Sequence, residues 1–265
     1  MGYYGDYHTH TTYSHGKGRI EDNVRRAIEL GLKEIAITDH GLSHIAFGLN
    51  DDKVMEMREI IEVLKVKYPM IEIYLGVEAN IIGLDGTIDL IDEEFDWFDV
   101  ILMGYHKFVW PATVGDYFRF FTPNYFYDTF RQKAPPHVVA RNTDAFVKAI
   151  EKWPIDVITH VNHGIRVDCR AIAQAAKEYG TYMELNGKHI TFSDEEFLSM
   201  AETGVRFIMD SDAHSVDRIT DFGPALALLE RTGYPKEEVA GFCSKPDFRS
   251  VREKRGRTSH ITLDD

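Results

Sequence analysis

The 265-residue chain has little of several things, and each shortage excludes a class of protein. It has two cysteines, Cys169 and Cys243, far apart in sequence. They form no disulfide framework and no thiolate zinc motif, and they suit a reducing compartment. No apolar run is long enough to cross a bilayer. Met1–Asp6 lacks the basic and apolar regions of a signal peptide, so a cytoplasmic location is expected. Internal repeats and low-complexity linkers are missing, which predicts one domain over 1–265. Positive charge is scarce too. Thirty Lys and Arg against 43 Asp and Glu leave a formal net charge of −13. Proteins that grip long nucleic acid usually carry a basic face, so such a partner is not expected. Bound metals would locally reverse that sign. No motif for a nucleophilic Ser or Cys is evident.

What is present is an alternation of short β-branched runs with longer amphipathic stretches. Strands are expected at Tyr3–His8, Glu34–Thr38, Ile71–Val77, Asp99–Met103, Ile155–Thr159, Tyr182–Leu185 and Arg206–Met209. Helices are expected at Glu21–Leu30, stopped by Gly31, and at Asp52–Lys67, His137–Lys152 and Arg170–Tyr179. A further helix opens at Ser193-Asp194-Glu195-Glu196, a capping box flanked by Phe192 and Phe197, and a late one begins over Pro224–Arg231. Seven strands alternating with helices predict an α/β fold with a mostly parallel sheet. Residues 107–136 interrupt the pattern with an aromatic-rich insertion, read either as a lid or substrate wall or as a packed excursion or oligomer contact. The charged tail from Lys245 is expected along the outside of the fold.

Twelve histidines is many for this length, and their placement matters more than their number. Strand one ends at His8 and His10, strand two at Asp39-His40, strand three at Glu78, strand four at His106, strand five at His160. Strand seven runs into Asp212-Ala213-His214. In an open sheet these ends would lie along a line. In a barrel they ring one face, the face that carries active sites. His8 and His10, two apart on a strand, point the same way and can share one ion. Imidazoles mixed with carboxylates suit zinc, manganese or iron better than magnesium or calcium. The set is too large for a single tetrahedral ion and predicts two or three divalent ions. Lys107, Arg166 and Lys188 follow strand ends, His44, His163 and His189 lie near the same face, and His137 and His260 look incidental.

In order and context, Asp6-x-His8-x-His10, Ser14-His15-Gly16, Thr38-Asp39-His40, Gly76-Val77-Glu78, His106, Asn142-Thr143, His160, Glu184-Leu185-Asn186 and Ser211-Asp212-Ala213-His214 resemble the PHP (polymerase and histidinol phosphatase) superfamily. The resemblance implies a distorted (β/α)7 TIM-like barrel with a trinuclear centre. Carried over by position, His8, His10, Glu78 and Asp212 would hold one ion, Glu78 with His106 and His160 a second, and His15, His40 and His214 a third. Glu78 would bridge, and Asp39 would orient an imidazole from outside the ligand set. The implied chemistry is hydrolysis of a phosphate monoester of a small metabolite, histidinol phosphate being one candidate, by a hydroxide held between ions. With that chemistry, Lys107, Arg166 and Lys188 become candidates to meet the phosphate and His163 a candidate proton donor. Three alternatives stand beside it: a nuclease or nucleotide phosphodiesterase, an amidohydrolase-type hydrolase, and a non-catalytic metal-binding module.

Overall fold

The computed structural model describes residues 2–249. Seven strands form one parallel sheet in sequence order: β1 (Gly5–Asp6), β2 (Glu34–Ile37), β3 (Glu72–Asn80), β4 (Val100–Gly104), β5 (Val157–Ile158), β6 (Tyr182–Asn186) and β7 (Phe207–Asp210). The helices are α1 (Ile20–Glu29), α2 (Asp51–Lys67), α3 (Val114–Asp116), α4 (Thr122–Thr129), α5 (Pro136–Lys152), α6 (Cys169–Tyr179), α7 (Asp194–Ala201) and α8 (Gly223–Thr232). A 3-10 turn over Asp92–Trp97, not an α-helix, joins β3 to β4.

Local sequence explains the helix limits. α1 buries Ile20, Val24 and Ala27, one stripe at helical spacing, and the chain leaves it through Gly31 at φ +77°. α7 begins with the expected capping box. The Ser193 hydroxyl accepts from Glu196 N at 3.1 Å, and the Glu196 carboxylate accepts from Ser193 N at 2.7 Å.

Alternation along the strands divides the interior in two. Ile35, Ile37, Ile73, Leu75, Val77, Ile101, Met103, Ile158, Met183, Leu185, Phe207 and Met209 pack outward into one large cluster with the helices. Ala36, Val100, Leu102, Val157, Tyr182 and Ile208 fill the barrel itself with Tyr7. Burial of each large side chain contributes about 1.5–3 kcal/mol. Towards the carboxyl ends the inward register changes character, to Glu78, Asn80, Glu184, Asn186 and Asp210, all buried. The same two-residue period that builds an apolar floor therefore delivers acids and amides to the top.

β1 and β5 are shorter than the sequence suggests. Tyr7 N–H is taken by the Asp210 side chain at 2.8 Å instead of a strand partner, and His160 turns to φ +24° straight after Thr159. The seam between β7 and β1 is closed at two levels. Near the top, Thr9 bridges Ala213, with His10 N to Ala213 O at 2.8 Å. Near the bottom, Ala240 bridges Ile208, and Tyr4 N donates to Gly241 O at 2.9 Å. The chain then enters the barrel. Phe248 is buried against the rings of Tyr7, Tyr74 and Tyr182, and Lys245 reaches Glu34 at 2.5 Å. So the start of the expected outer tail is a plug, because Phe248 finds an aromatic socket inside. The rest of that tail, with His260, lies outside the described residues.

The insertion after β4 is helical. Thr113 caps α3 by accepting from Asp116 N, a π-helical turn spans Tyr117–Phe121, and α4 follows. Phe120 and Phe121 are buried beside Tyr105, and Asn124 and Asn142 exchange amide hydrogen bonds at 3.1 and 2.8 Å. One side of the insertion is thus an excursion of the core. The other side leaves Phe108, Trp110, Tyr117, Phe118, Tyr125, Phe126 and Phe130 exposed.

Candidate metal centre

Glu78 projects inward near the end of β3 and is 1% exposed. Around its two oxygens stand His160 Nε2 at 2.8 Å, His40 Nδ1 at 2.9 Å, His106 Nε2 at 3.3 Å, His8 Nε2 at 3.5 Å and His10 Nε2 at 3.6 Å. Asp212, at φ +52° in the loop after β7, brings Oδ1 to 3.5 Å from His10 Nε2 and 3.8 Å from His8 Nε2. His214 Nδ1 is 3.3 Å from the same oxygen. His15 stacks on His40 with ring centroids 4.8 Å apart and lies 4.2 Å from the His214 ring. Side chains from His8 to His214 therefore meet at one face of the barrel.

This approach needs unusual backbone. Asp212 and His160 are non-glycine residues at positive φ, a conformation that costs about 1–3 kcal/mol and clusters at functional sites. Gly104 makes room for His160, since a Cβ there would stand 2.8 Å from its ring.

The arrangement fits divalent ions. His8 Nε2 and His10 Nε2 face each other at 3.2 Å. Among the described residues, His40 Nδ1 lies close to Glu78 without hydrogen-bond geometry and has no hydrogen-bond partner, and the same holds for His10 Nδ1. Polar atoms buried in this way are costly unless something between them is shared. Three overlapping groups bring ligand atoms within reach of a common ion: His8, His10 and Glu78; His40, Glu78 and His106; His10, His40 and His214. His40 belongs to two of them, standing between the positions that the family pattern assigns to separate ions.

The electrostatics agree. Burial holds His10 well below its usual value, His40 down to about 3 and His15 down to about 4. Their lone pairs are thus available to a cation, as ligation requires. Burial would raise Glu78, but the imidazoles of His106, His8 and His40 outweigh it and keep the carboxyl well below its ordinary range. Asp212 behaves the same way, with burial opposed by His8 and His10. His8 and His160 rise despite burial. Glu78, Glu184 and Asp212 act on both and outweigh it.

Several supporting residues were given no role from sequence. Glu184 accepts from His8 Nδ1 at 2.7 Å and from His160 N at 2.6 Å. Asn80 holds His106 Nδ1 at 2.6 Å, and Asn186 donates to Glu184 at 2.9 Å. The available signal was their place at inward positions of apolar strands. Asp39 is buried and bound by Thr11 and Ser14; its nearest approach to His10 Nδ1 is 4.0 Å, beyond a hydrogen bond, so it fastens the loop beside the ligands.

A cavity of about 200 Å³ opens over these groups, lined among others by His44, Phe47, Phe108, His163, Lys188 and His189. Lys188 is thus at the site. Lys107 is not among the lining residues and pairs with Asp128, while Arg166 pairs with Glu196 at 3.0 Å and lines a different cavity with Arg131 and Lys133. The rings of His163 and His189 lie 4.1 Å apart. No helix among the described residues is long and apolar enough to cross a membrane.

Comparison with known proteins agrees with this geometry. A probable phosphatase of Caldanaerobacter subterraneus subsp. tengcongensis is 31% identical over 95% of this chain and 92% of its own. One from Shewanella sp. strain MR-4 is 29% identical over 90% and 87%. Among solved structures, the histidinol phosphate phosphatase of Lactococcus lactis, complexed with zinc, L-histidinol and phosphate, superposes with a TM-score of 0.60 at 17% identity, covering 95% of this chain and 98% of that one. The metal-dependent tyrosine phosphatases YwqE of Bacillus subtilis and CpsB of Streptococcus pneumoniae give a TM-score of 0.50 at 17% identity, with 88% of each chain covered. The PHP domain profile matches residues 6–211, from Asp6 at the end of β1 to the turn after β7, and the chain belongs to the PHP domain family.

Proposed function

We propose that this chain hydrolyses a phosphate monoester of a small metabolite at a cluster of divalent ions held by His8, His10, His15, His40, Glu78, His106, His160, Asp212 and His214. The carrying observation is the Glu78 carboxylate, surrounded by imidazoles from four other strand ends at 2.8–3.6 Å in a pocket of about 200 Å³. When bound, such ions lower the pKa of water towards neutrality and neutralise phosphoryl oxygens.

The protein's own groups do the rest. Glu78 lies between the ligand groups and is placed to bridge. Asp212 supplies a second ionised carboxylate opposite. Lys188 adds positive charge at the rim of the cavity, where a phosphate would enter. Burial and the neighbouring His160 hold His163 down to about 4, so at neutral pH it is an uncharged imidazole. In that state it donates an N–H hydrogen bond to the leaving oxygen. Phe47 and Phe108 line one side of the cavity. Histidinol phosphate heads the candidate substrates because the Lactococcus protein of the same fold was solved with its product, and zinc because that complex contains it.

The test is hydrolysis of para-nitrophenyl phosphate against its bis-ester by protein loaded in turn with zinc, manganese and iron, followed by a panel of metabolite phosphates. Monoester turnover that disappears on chelation is the expected result. Preference for the bis-ester would instead indicate a phosphodiesterase. Amide or lactone turnover without phosphatase activity would indicate amidohydrolase chemistry.

A further inference from the structure

His106 differs from His8 in what steadies it. His8 leans on a carboxylate, but His106 Nδ1 meets an amide, Asn80 Oδ1, at 2.6 Å. An amide can be turned end for end, and then it presents NH2 where it presented oxygen. The imidazole would have to accept at Nδ1 and carry its proton on Nε2, the nitrogen 3.3 Å from Glu78. Something must therefore hold the amide.

That group is Asp89. Its Oδ1 accepts from the backbone N–H of Asn80 at 2.6 Å. Its Oδ2 accepts from Asn80 Nδ2 at 2.6 Å and from Ser43 N at 2.9 Å. All three neighbours are donors, a set that a carboxylate satisfies and an amide cannot. Asp89 is buried, and the chain is shaped around it. A Cβ at Gly41 would stand 2.5 and 2.7 Å from its two oxygens. The bond to Ser43 also fixes the loop whose His44 bridges Val109 and whose Ile45 N donates to Phe108 O at 2.9 Å.

We propose that Asp89 is a positioning residue for the metal centre: by fixing the Asn80 amide, it keeps the His106 proton on Nδ1 and leaves Nε2 bare for an ion. The inference rests on the metal-centre reading above. Asp89→Asn is nearly isosteric, yet it sets an NH2 among donors. The backbone N–H of Asn80 cannot turn, so it keeps the remaining oxygen. The Asn80 side chain then flips to give its own oxygen to the new amide, and its NH2 to His106. Pairing that change with Asn80→Asp restores an acceptor facing His106 Nδ1.

Two measurements on the full-length protein test this. In ¹⁵N-resolved spectra of metal-free protein, with the ring assigned by its loss in His106→Gln, the wild type shows the Nδ1–H form. Asp89→Asn shows Nε2–H, and the double variant returns to Nδ1–H. In metal titrations, Asp89→Asn weakens one class of ion about 10–100-fold and leaves the others near wild type, and the double variant recovers most of the loss. A purely structural role would lower the melting temperature of Asp89→Asn without moving the tautomer. An unchanged His106 tautomer in folded Asp89→Asn, or undiminished affinity for every ion, overturns the proposal. Wild-type protein that binds no ion at all overturns the metal-centre reading and this inference together. An intact wild-type centre with an indifferent Asp89→Asn overturns the inference alone.

Discussion

His8 and Glu184, 176 residues apart, meet at 2.7 Å inside the barrel, with Nδ1 turned to the carboxylate and Nε2 turned to Glu78 and His10. A carboxylate behind an imidazole fixes its orientation and raises its basicity. Glu184→Gln keeps an oxygen for His160 N but removes the charge. The expected outcome is about 10–100-fold weaker metal binding or activity, read by competition with a fluorescent chelator. A variant that binds and turns over like wild type would remove Glu184 from the support of the centre.

Glu78 touches ligands of more than one group, so its loss should exceed that of an outer partner. Glu78→Gln is expected to reduce kcat/KM by more than about 100-fold and to lower the number of ions found by elemental analysis. Retained ion content with retained turnover would contradict its bridging position.

Acid should destabilise the metal-free protein through His40. Its folded value, about 3, is below the roughly 6.5 of an unfolded histidine. The stabilising contribution is therefore complete above pH 6.5 and is lost as pH falls towards 3, because the unfolded chain takes up a proton that the folded chain refuses. Glu78 and Asp212, both depressed, act in the same direction at lower pH. His8 and His160 are raised, so their contributions are already complete below 6.5 and fade only as pH rises. The stability of chelated protein should therefore fall from pH 6.5 to pH 5, by no more than about 1.4 kcal/mol per pH unit for one group, and its melting temperature should fall with it. A flat or rising profile over that range would contradict the assignment.

Lys188 is exposed at the cavity rim and makes no ion pair among the described residues. Lys188→Ala should raise KM for a phosphate monoester several-fold and leave ion content unchanged. Steady-state kinetics beside elemental analysis separates the two, and an unaltered KM would move phosphate recognition elsewhere.

Phe248 supplies an aromatic plug against Tyr7, Tyr74 and Tyr182, none of them a proposed ligand. Phe248→Ala should cost about 3–5 kcal/mol of stability, the usual range for a buried phenylalanine. Ion content of the surviving folded protein should not change. Denaturant unfolding checks the first, and a stability loss below 1 kcal/mol would show that the socket collapses around the gap.

The barrel and most of its metal face could be read from sequence because one signal carried both. A strand that is apolar for several residues and then ends in His, Asp or Glu announces its direction and its purpose together, as at Glu34–His40 and Ile71–Glu78. Strand six shows Glu184 only through the family resemblance and without a role, because it lies within the apolar run, between Met183 and Leu185. The short β1 and β5 were hidden because Asp210 captures Tyr7 N–H and His160 reverses φ, both tertiary events. Asp89 and Asn80 act through an amide orientation that no spacing encodes. Phe248 stands alone among charged neighbours, so nothing in its vicinity announces a socket lined by Tyr7, Tyr74 and Tyr182. Lys107 and Arg166 follow strand ends as Lys188 does, and only the nearby acids Asp128 and Glu196 draw them aside.

The lower part of the β7–β1 seam is joined by Ala240 and Gly241. The ring is thus unfinished at its base until those residues fold back onto it. His8 and His10 stand on one bank of that gap, and Asp212 and His214 on the other. Closing the ring therefore brings the two halves of the histidine and carboxylate cluster face to face.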